Sequence, residues 1–351
     1  MKGVTHFEHR PIGWASRAKP SCMLEAGMIE TLQSWADDRG YRVAWGPTEV
    51  LRRARAELLD RRESGELDTD FCRDQLEFLF EPDMAWRDAT VVVVAMPRPA
   101  HKVGFELGDG RLETLLPPTY LRYRAAFEEV RHDLAENGLP GARVEHLTAP
   151  LKTVATLLGL VRYGRNNIAY APGIGSYLQL CGYLTDAQLP NSEDPVLEKP
   201  ELLPECDDCT RCQAACPTKA IDEDRVLLRA ERCITLANEN PGPWPESIPR
   251  RAHHCLVGCL SCQRACPANP KLRIEDTGVC FSASETQSLI DGDPAAVKRA
   301  ERGIRAKLAA LGQPGIEPVL GRNLRALVER RGGGRIPQPR RTRVASSSTA
   351  G

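Results

Sequence analysis

Apolar positions recur at helical spacing at Leu24, Met28, Leu32 and Trp35 ahead of Gly40, and again at Val50, Leu51, Ala54 and Leu58. Two amphipathic helices are expected there. Residues 90–96, TVVVVAM, form an unbroken β-branched run closed by Pro97 and Pro99. Lacking polar alternation, this strand should be covered on both faces, in the middle of a sheet with helices packed on it. Phe127, Val130 and Leu134 before Gly138 predict a third helix, and residues 142–146 and 177–184 read as further strands. The first 190 residues thus predict a mixed α/β unit.

Residues 189–205 are proline-rich and acidic and mark a domain boundary. Beyond Cys280, apolar residues at Val297, Ala300, Ile304, Leu308 and Leu311 keep helical spacing, and a second short helix is expected around residues 320–328. Such a helical pair can pack as a cap. From residue 331 to residue 351 the composition is Gly, Pro, Arg and Ser without an acid, which predicts a disordered tail whose Arg335, Arg340, Arg341 and Arg343 are solvated. The expected fold class is α+β, in four parts: residues 1–190, a cysteine-rich region at 191–285, a helical cap at 286–330 and the tail at 331–351.

Lys plus Arg and Asp plus Glu each number 47, so the formal net charge is zero and no global steering toward nucleic acid or anionic membrane operates. The N-terminal segment has no apolar stretch or twin-arginine signal, and the longest apolar run, residues 89–97, is too short to span a bilayer. A cytoplasmic protein with no membrane partner is expected. Cysteine is the unusual residue: of 13, nine fall between Cys206 and Cys266. In a reducing compartment such crowding indicates metal ligands or redox groups rather than disulfides.

Cys206, Cys209, Cys212 and Cys216, followed by Pro217, have the C-x2-C-x2-C-x3-C-P spacing of bacterial iron–sulfur proteins. Cys259, Cys262 and Cys266, followed by Pro267, repeat its second half. In this pattern three close cysteines hold one cubane and the fourth crosses to the neighbouring cluster, so two [4Fe–4S] clusters are implied. Cys206, Cys209 and Cys212 would be completed by Cys266, and Cys216 would join Cys259 and Cys262. A further ligand is needed. A two-cluster ferredoxin would have cysteine at position 256, but Leu256 stands there, leaving Cys255 or Cys233. A pair of zinc sites is the alternative use of such thiolates. Cys22, Cys72, Cys181 and Cys280 stand apart and read as small buried hydrophobes.

Residues from about 89 to 270 resemble the corrinoid-dependent two-cluster reductases that include the epoxyqueuosine reductases and, more distantly, the reductive dehalogenases. The likeness lies in ATVVVVAMPRP, LLGLVRYGRNN, SYLQLCGYLTDAQLP, CDDCTRCQAACPTKAI, RCIT and GCLSCQRACPAN, in that order. The resemblance implies that Cys233 completes the second cluster and that Cys255 is an extra thiol. It also implies a cobalamin between the α/β unit and the clusters, with electrons passing from cluster to cluster to cobalt. An organic substrate, a small molecule or a modified tRNA, would then be reduced, with a flavodoxin or ferredoxin as electron donor.

The chain departs from that family where a proton donor is needed. The acidic residue of its Asp-Ser/Thr-x-Pro segment is replaced in His146-Leu147-Thr148-Ala149-Pro150, where Leu147 cannot donate a proton. Tyr163, between Arg162 and Arg165, is the candidate substitute, because a nearby cation stabilises the phenolate left behind. Arg162, Arg165, Asn166 and Asn167 are candidates for holding a corrinoid tail or an anionic substrate. His146 can exchange protons near neutrality but equally suits a surface packing position. The expected function is an iron–sulfur oxidoreductase reducing an organic substrate through a corrinoid; the alternative is a non-catalytic electron-transfer protein.

Overall fold

The computed structural model describes residues 22–67, 78–190, 199–222, 227–292, 294–313 and 315–331. Cys72, the middle of the 189–205 connection and the basic tail lie outside the described residues. Helix α1 (Cys22–Asp38) ends before Gly40, whose φ of +67° suits glycine after a helix. Strand β1 (Arg42–Pro47), α2 (Glu49–Glu63), β2 (Thr90–Pro97), β3 (Ala100–Leu107), β4 (Gly110–Leu116) and α3 (Tyr123–Asp133) follow. Then come β5 (Val144–His146), α4 (Leu151–Leu157), β6 (Arg162–Tyr163), β7 (Ala169–Tyr170) and β8 (Leu178–Thr185).

Strands β1, β2, β8 and β5 form one sheet in that order, with every neighbouring pair antiparallel. The run of β2 explains its interior place. Alternate side chains of a strand point to opposite faces, so Val91, Val93 and Ala95 pack with Val50, Leu51 and Ala54 of α2 and Val154 and Leu157 of α4. Val92, Val94 and Met96 pack on the other face with Leu32 and Trp35 of α1 and Val130 of α3. Cys181 of β8 is wholly buried in this second layer, as a small apolar side chain. Cys280 departs from that expectation: it is half-buried, with its thiol 3.4 Å from Glu106 Oε1.

The cysteine region contains the short helices α5 (Arg211–Ala215), α6 (Ile234–Glu239) and α7 (Ser261–Ala265). After it, β9 (Ile274–Phe281) leads into α8 (Ala283–Asp291), α9 (Pro294–Ala310) and α10 (Glu317–Arg331). β9 pairs in parallel with β3, which forms a hairpin with β4 through the two-residue turn Gly108-Asp109. The hairpin belongs to the first expected domain and β9 to the second, so this sheet is built across the sequence boundary. Phe105 and Phe281 stack at 4.8 Å within it. Leu289, Ile304, Leu308, Leu320 and Leu324 cover its apolar face, which makes the C-terminal helices the cap that their spacing predicts. α10 is longer than the expected 320–328. Among the described residues no helix is long and apolar enough to cross a membrane.

Candidate metal centre

Residues 209–217 (CTRCQAACP) and 259–267 (CLSCQRACP) fold alike. Each contains a five-residue helix, α5 or α7, and each leaves it at the last cysteine in extended conformation, with ψ of 113° at Cys216 and 122° at Cys266. Pro217 and Pro267 are the cause, because a residue preceding proline is driven out of the helical region. The N–H groups of Cys216 and Cys266 donate to Gln213 O and Gln263 O, both at 3.2 Å. α5 and α7 pack against each other, bringing the two segments face to face.

The thiols gather in two groups. Burial pushes the Cys212 thiol up, and the sulfurs of Cys206, Cys209 and Cys266 add to the rise. Cys206 is raised by burial and by Cys266 and Cys209. In the other group burial raises Cys262, reinforced by Cys259, Cys233 and Cys216, with Cys212 the one contributor from across the divide. Cys233 is raised by burial and by Cys259 and Cys216. Cys255 joins neither group: it is wholly buried against Ala100 and Leu260. Leu256, fifty positions after Cys206, is buried in the apolar layer with α9 and α10.

Backbone N–H groups point at several of these sulfurs, as ligand thiolates require: Arg165 to Cys206 at 3.4 Å, Ala220 to Cys216 at 3.3 Å and Ser261 to Cys259 at 3.5 Å. His254 braces the second group. Its Nε2 accepts from Leu260 N–H at 3.1 Å, its Nδ1 donates to Ala252 O at 3.0 Å, and Nε2 lies 3.8 Å from Cys259 Sγ. Among the described residues no three His, Cys, Asp or Glu side chains converge as a single metal ion requires.

The turn between β6 and β7 joins the first group to the antiparallel sheet. Gly164, Arg165, Asn166 and Tyr170 line one cavity with Cys206, Cys209, Cys212 and Cys266. The four polar residues expected to hold a corrinoid tail or anion take different partners here. Arg162 is exposed and paired with Glu201 at 2.9 Å. Arg165 donates to Cys206 O at 2.6 Å, and Asn166 is buried with its amide on the Tyr170 hydroxyl. Asn167, at φ +57°, receives the Lys152 ammonium on its backbone oxygen at 3.0 Å. These contacts hold the turn in place.

Tyr163 lies at the start of the same turn. Its side chain is buried, its hydroxyl is 3.1 Å from Thr153 Oγ1, and burial pushes the phenol above its ordinary range. With Arg162 turned to Glu201, the expected flanking cation is not at its hydroxyl. Leu147 is packed in the core with Val93 and Val154. His146 bonds Glu128 at 2.6 Å and stacks near Phe127 and Tyr183, a surface packing position. Sequence reasoning missed Lys152 and Tyr170, which no spacing marks. The exposed Lys152 donates its ammonium to the backbone oxygen of Asn167 and lies 5.8 Å from the centroid of the Tyr163 ring.

Residues 205–269 match the family described as a 4Fe-4S double cluster binding domain. The epoxyqueuosine reductase of Staphylococcus aureus is 29% identical over 128 residues, which are 36% of this chain and 32% of that protein. The epoxyqueuosine reductase of Lactococcus garvieae is 25% identical over 251 residues, 68% of this chain and 69% of its own. The match to the first of these thus spans about a third of its length. A crystal structure of epoxyqueuosine reductase with an epoxyqueuosine-modified tRNA stem loop superimposes with a TM-score of 0.55 at 20% identity, over 88% of this chain and 81% of that one. That likeness carries the fold. The chain thus has a domain for two [4Fe–4S] clusters and is similar in sequence and fold to epoxyqueuosine reductases.

Proposed function

We propose that this protein is an iron–sulfur reductase in which one cluster is held by Cys206, Cys209, Cys212 and Cys266 and the other by Cys216, Cys233, Cys259 and Cys262. The observation that carries this reading is the grouping of eight thiols into two sets of four, each completed by a cysteine from the other motif. The second set lies toward α6 and the C-terminal helices, and the first against the turn at residues 164–167. Electrons therefore pass from the second cluster to the first and on to an acceptor held by the antiparallel sheet unit. Each cluster carries one electron.

The substrate class favoured is a modified tRNA, because a structural neighbour is bound to an epoxyqueuosine-modified stem loop. Reduction of an epoxide to an alkene consumes two electrons and two protons and releases one water, a stoichiometry that two one-electron clusters match.

The test is a single-turnover reaction. Protein reconstituted and reduced anaerobically is mixed with the modified stem loop, with and without added cobalamin, while cluster reoxidation and the RNA product are followed by absorbance and mass spectrometry. Reoxidation coupled to loss of the epoxide oxygen supports the reductase. A second reading, an electron carrier, draws on the burial of Leu147 where the relatives have an acid. Reoxidation only by a partner redox protein, with the RNA unchanged in both mixtures, would establish it instead.

A further inference from the structure

The turn that joins β6 to β7 is built to hold one residue against the first group of thiols. Gly164 N–H donates to Ile168 O at 2.8 Å, and Asn167 N–H donates back to Gly164 O at 2.8 Å. Asn166 is buried within it, its Oδ1 accepting from Ile168 N–H at 3.3 Å and its Nδ2 donating to Tyr170 Oη at 2.9 Å. A Cβ at position 164 would stand 2.5 Å from the Tyr170 ring, so glycine lets that ring close on the turn. The segment entering the first motif is tied to the same strand. Tyr163 N–H donates to Glu201 O at 2.9 Å, and Leu203 N–H donates to Tyr163 O at 2.8 Å. Turn and cysteine loop are therefore in fixed register before the chain reaches Cys206.

Arg165 is the residue this frame presents. Its backbone N–H donates to Cys206 Sγ at 3.4 Å, and its Nη2 donates to Cys206 O at 2.6 Å and to Asp207 O at 3.4 Å. Its side chain is half-buried and lines one cavity with Cys206, Cys209, Cys212 and Cys266. A neutral amide could satisfy a carbonyl equally well. A guanidinium adds a positive charge beside the place where a cluster gains a negative one on reduction, and partial burial keeps solvent and salt from screening the attraction fully.

We propose that Arg165 holds up the reduction potential of the first cluster through the charge of its guanidinium, a reading that rests on the ligand assignment above. Cluster potential follows local charge and hydrogen bonds to the ligand sulfurs, and both contributions of Arg165 favour the reduced, more negative state. Arg165 belongs to the sheet unit and Cys206 to the cysteine domain, so contact between the two units itself draws the electron to the cluster beside the sheet. No bond forms or breaks; one electron is redistributed between the clusters.

The test compares Arg165→Gln, which keeps a donor and loses the charge, with Arg165→Lys, which keeps the charge and loses the planar fork. Each is made in the full-length, reconstituted protein, and both clusters are titrated potentiometrically by electron paramagnetic resonance with iron and sulfide measured alongside. In Arg165→Gln the first cluster is expected to bind its electron at least tenfold more weakly, about 59 mV lower for one electron, while the second moves less than threefold. Arg165→Lys should leave both within threefold of the parent protein. Full iron with an unshifted first cluster in Arg165→Gln, an equal shift of both clusters, or a tenfold loss in Arg165→Lys as well overturns the proposal. If Arg165→Gln loses iron, citrulline at position 165, an uncharged side chain of arginine's shape, must lower the first cluster's potential by the same factor, and no drop overturns it. Failure of the ligand assignment would look different: the unsubstituted protein would then lack iron in this group.

Discussion

Replacing Asn238 by alanine strikes the contact that ties the second cysteine group to the C-terminal cap. Asn238 is wholly buried in α6. Its Nδ2 donates to Gly258 O at 2.8 Å and its Oδ1 accepts from Gly258 N–H at 2.9 Å, so one side chain satisfies both peptide groups of the residue before Cys259. Gly258 stands at φ +69° and would put a Cβ 2.8 Å from the Tyr120 ring, so no other residue can replace it there. Asn323 of α10 bonds Asn238 O and Leu256 O in turn. The substitution leaves a buried donor and a buried acceptor unpaired, at about 1–3 kcal/mol each, or about 2–6 kcal/mol together. Cluster release makes unfolding irreversible, so the quantity to measure is the rate of bleaching at a fixed urea concentration under argon. At the lower bound that rate rises about 30-fold, and iron is lost first from the group containing Cys259. A rate within threefold of the parent protein, with full iron, would refute this account of the loop.

Three further outcomes follow from the same geometry. In Cys266→Ser, alkylation under argon should label Cys206, Cys209 and Cys212 while Cys259 and Cys262 stay protected, and Cys216→Ser should show the converse; labelling confined to the substituted motif would contradict crosswise ligation. Burial lowers His253 to about 3 from 6.5, so below the unfolded value the unfolded chain binds a proton that the folded protein does not. Stability is then lost as pH falls, by about 1.4 kcal/mol between pH 7.5 and pH 5.5, and His253→Asn should remove that increment from the difference in bleaching rates at the two pH values. Leu147→Asp places an unpartnered carboxylate in the core and should cost about 3 kcal/mol or more without a gain in RNA reduction; parent-like thermal stability together with new activity would show that position 147 faces the cleft.

The sequence makes the double-cluster domain legible because cluster geometry acts through spacing and proline, both local. The x2, x3 and Pro rhythm forces Cys216 and Cys266 out of their helices, and the structure repeats that exit twice. β2 is legible for a similar reason: seven residues without polar alternation have only the interior of a covered sheet to occupy. The β3–β4 hairpin was less visible, although Gly108-Asp109 between apolar stretches is a hairpin signal, and its parallel pairing with β9, some 170 residues later, has no local mark. Tyr163 and Arg162 part company for one physical reason. Adjacent residues of a strand face opposite ways, so Tyr163 enters the core while Arg162 meets Glu201 outside. Tyr170 escapes sequence reasoning because its partner Asn166 and the cavity it shares with Cys206 and Cys266 are set by the fold and not by spacing.

The central claim is tested most directly by iron and acid-labile sulfide analysis of the anaerobically prepared protein, joined to electron paramagnetic resonance after reduction. The account predicts about eight iron and eight sulfide per chain, four of each in either cluster, with the signal of two reduced clusters close enough to interact. Stoichiometric zinc without sulfide, or all eight irons retained when Cys233 is replaced by alanine, would contradict it.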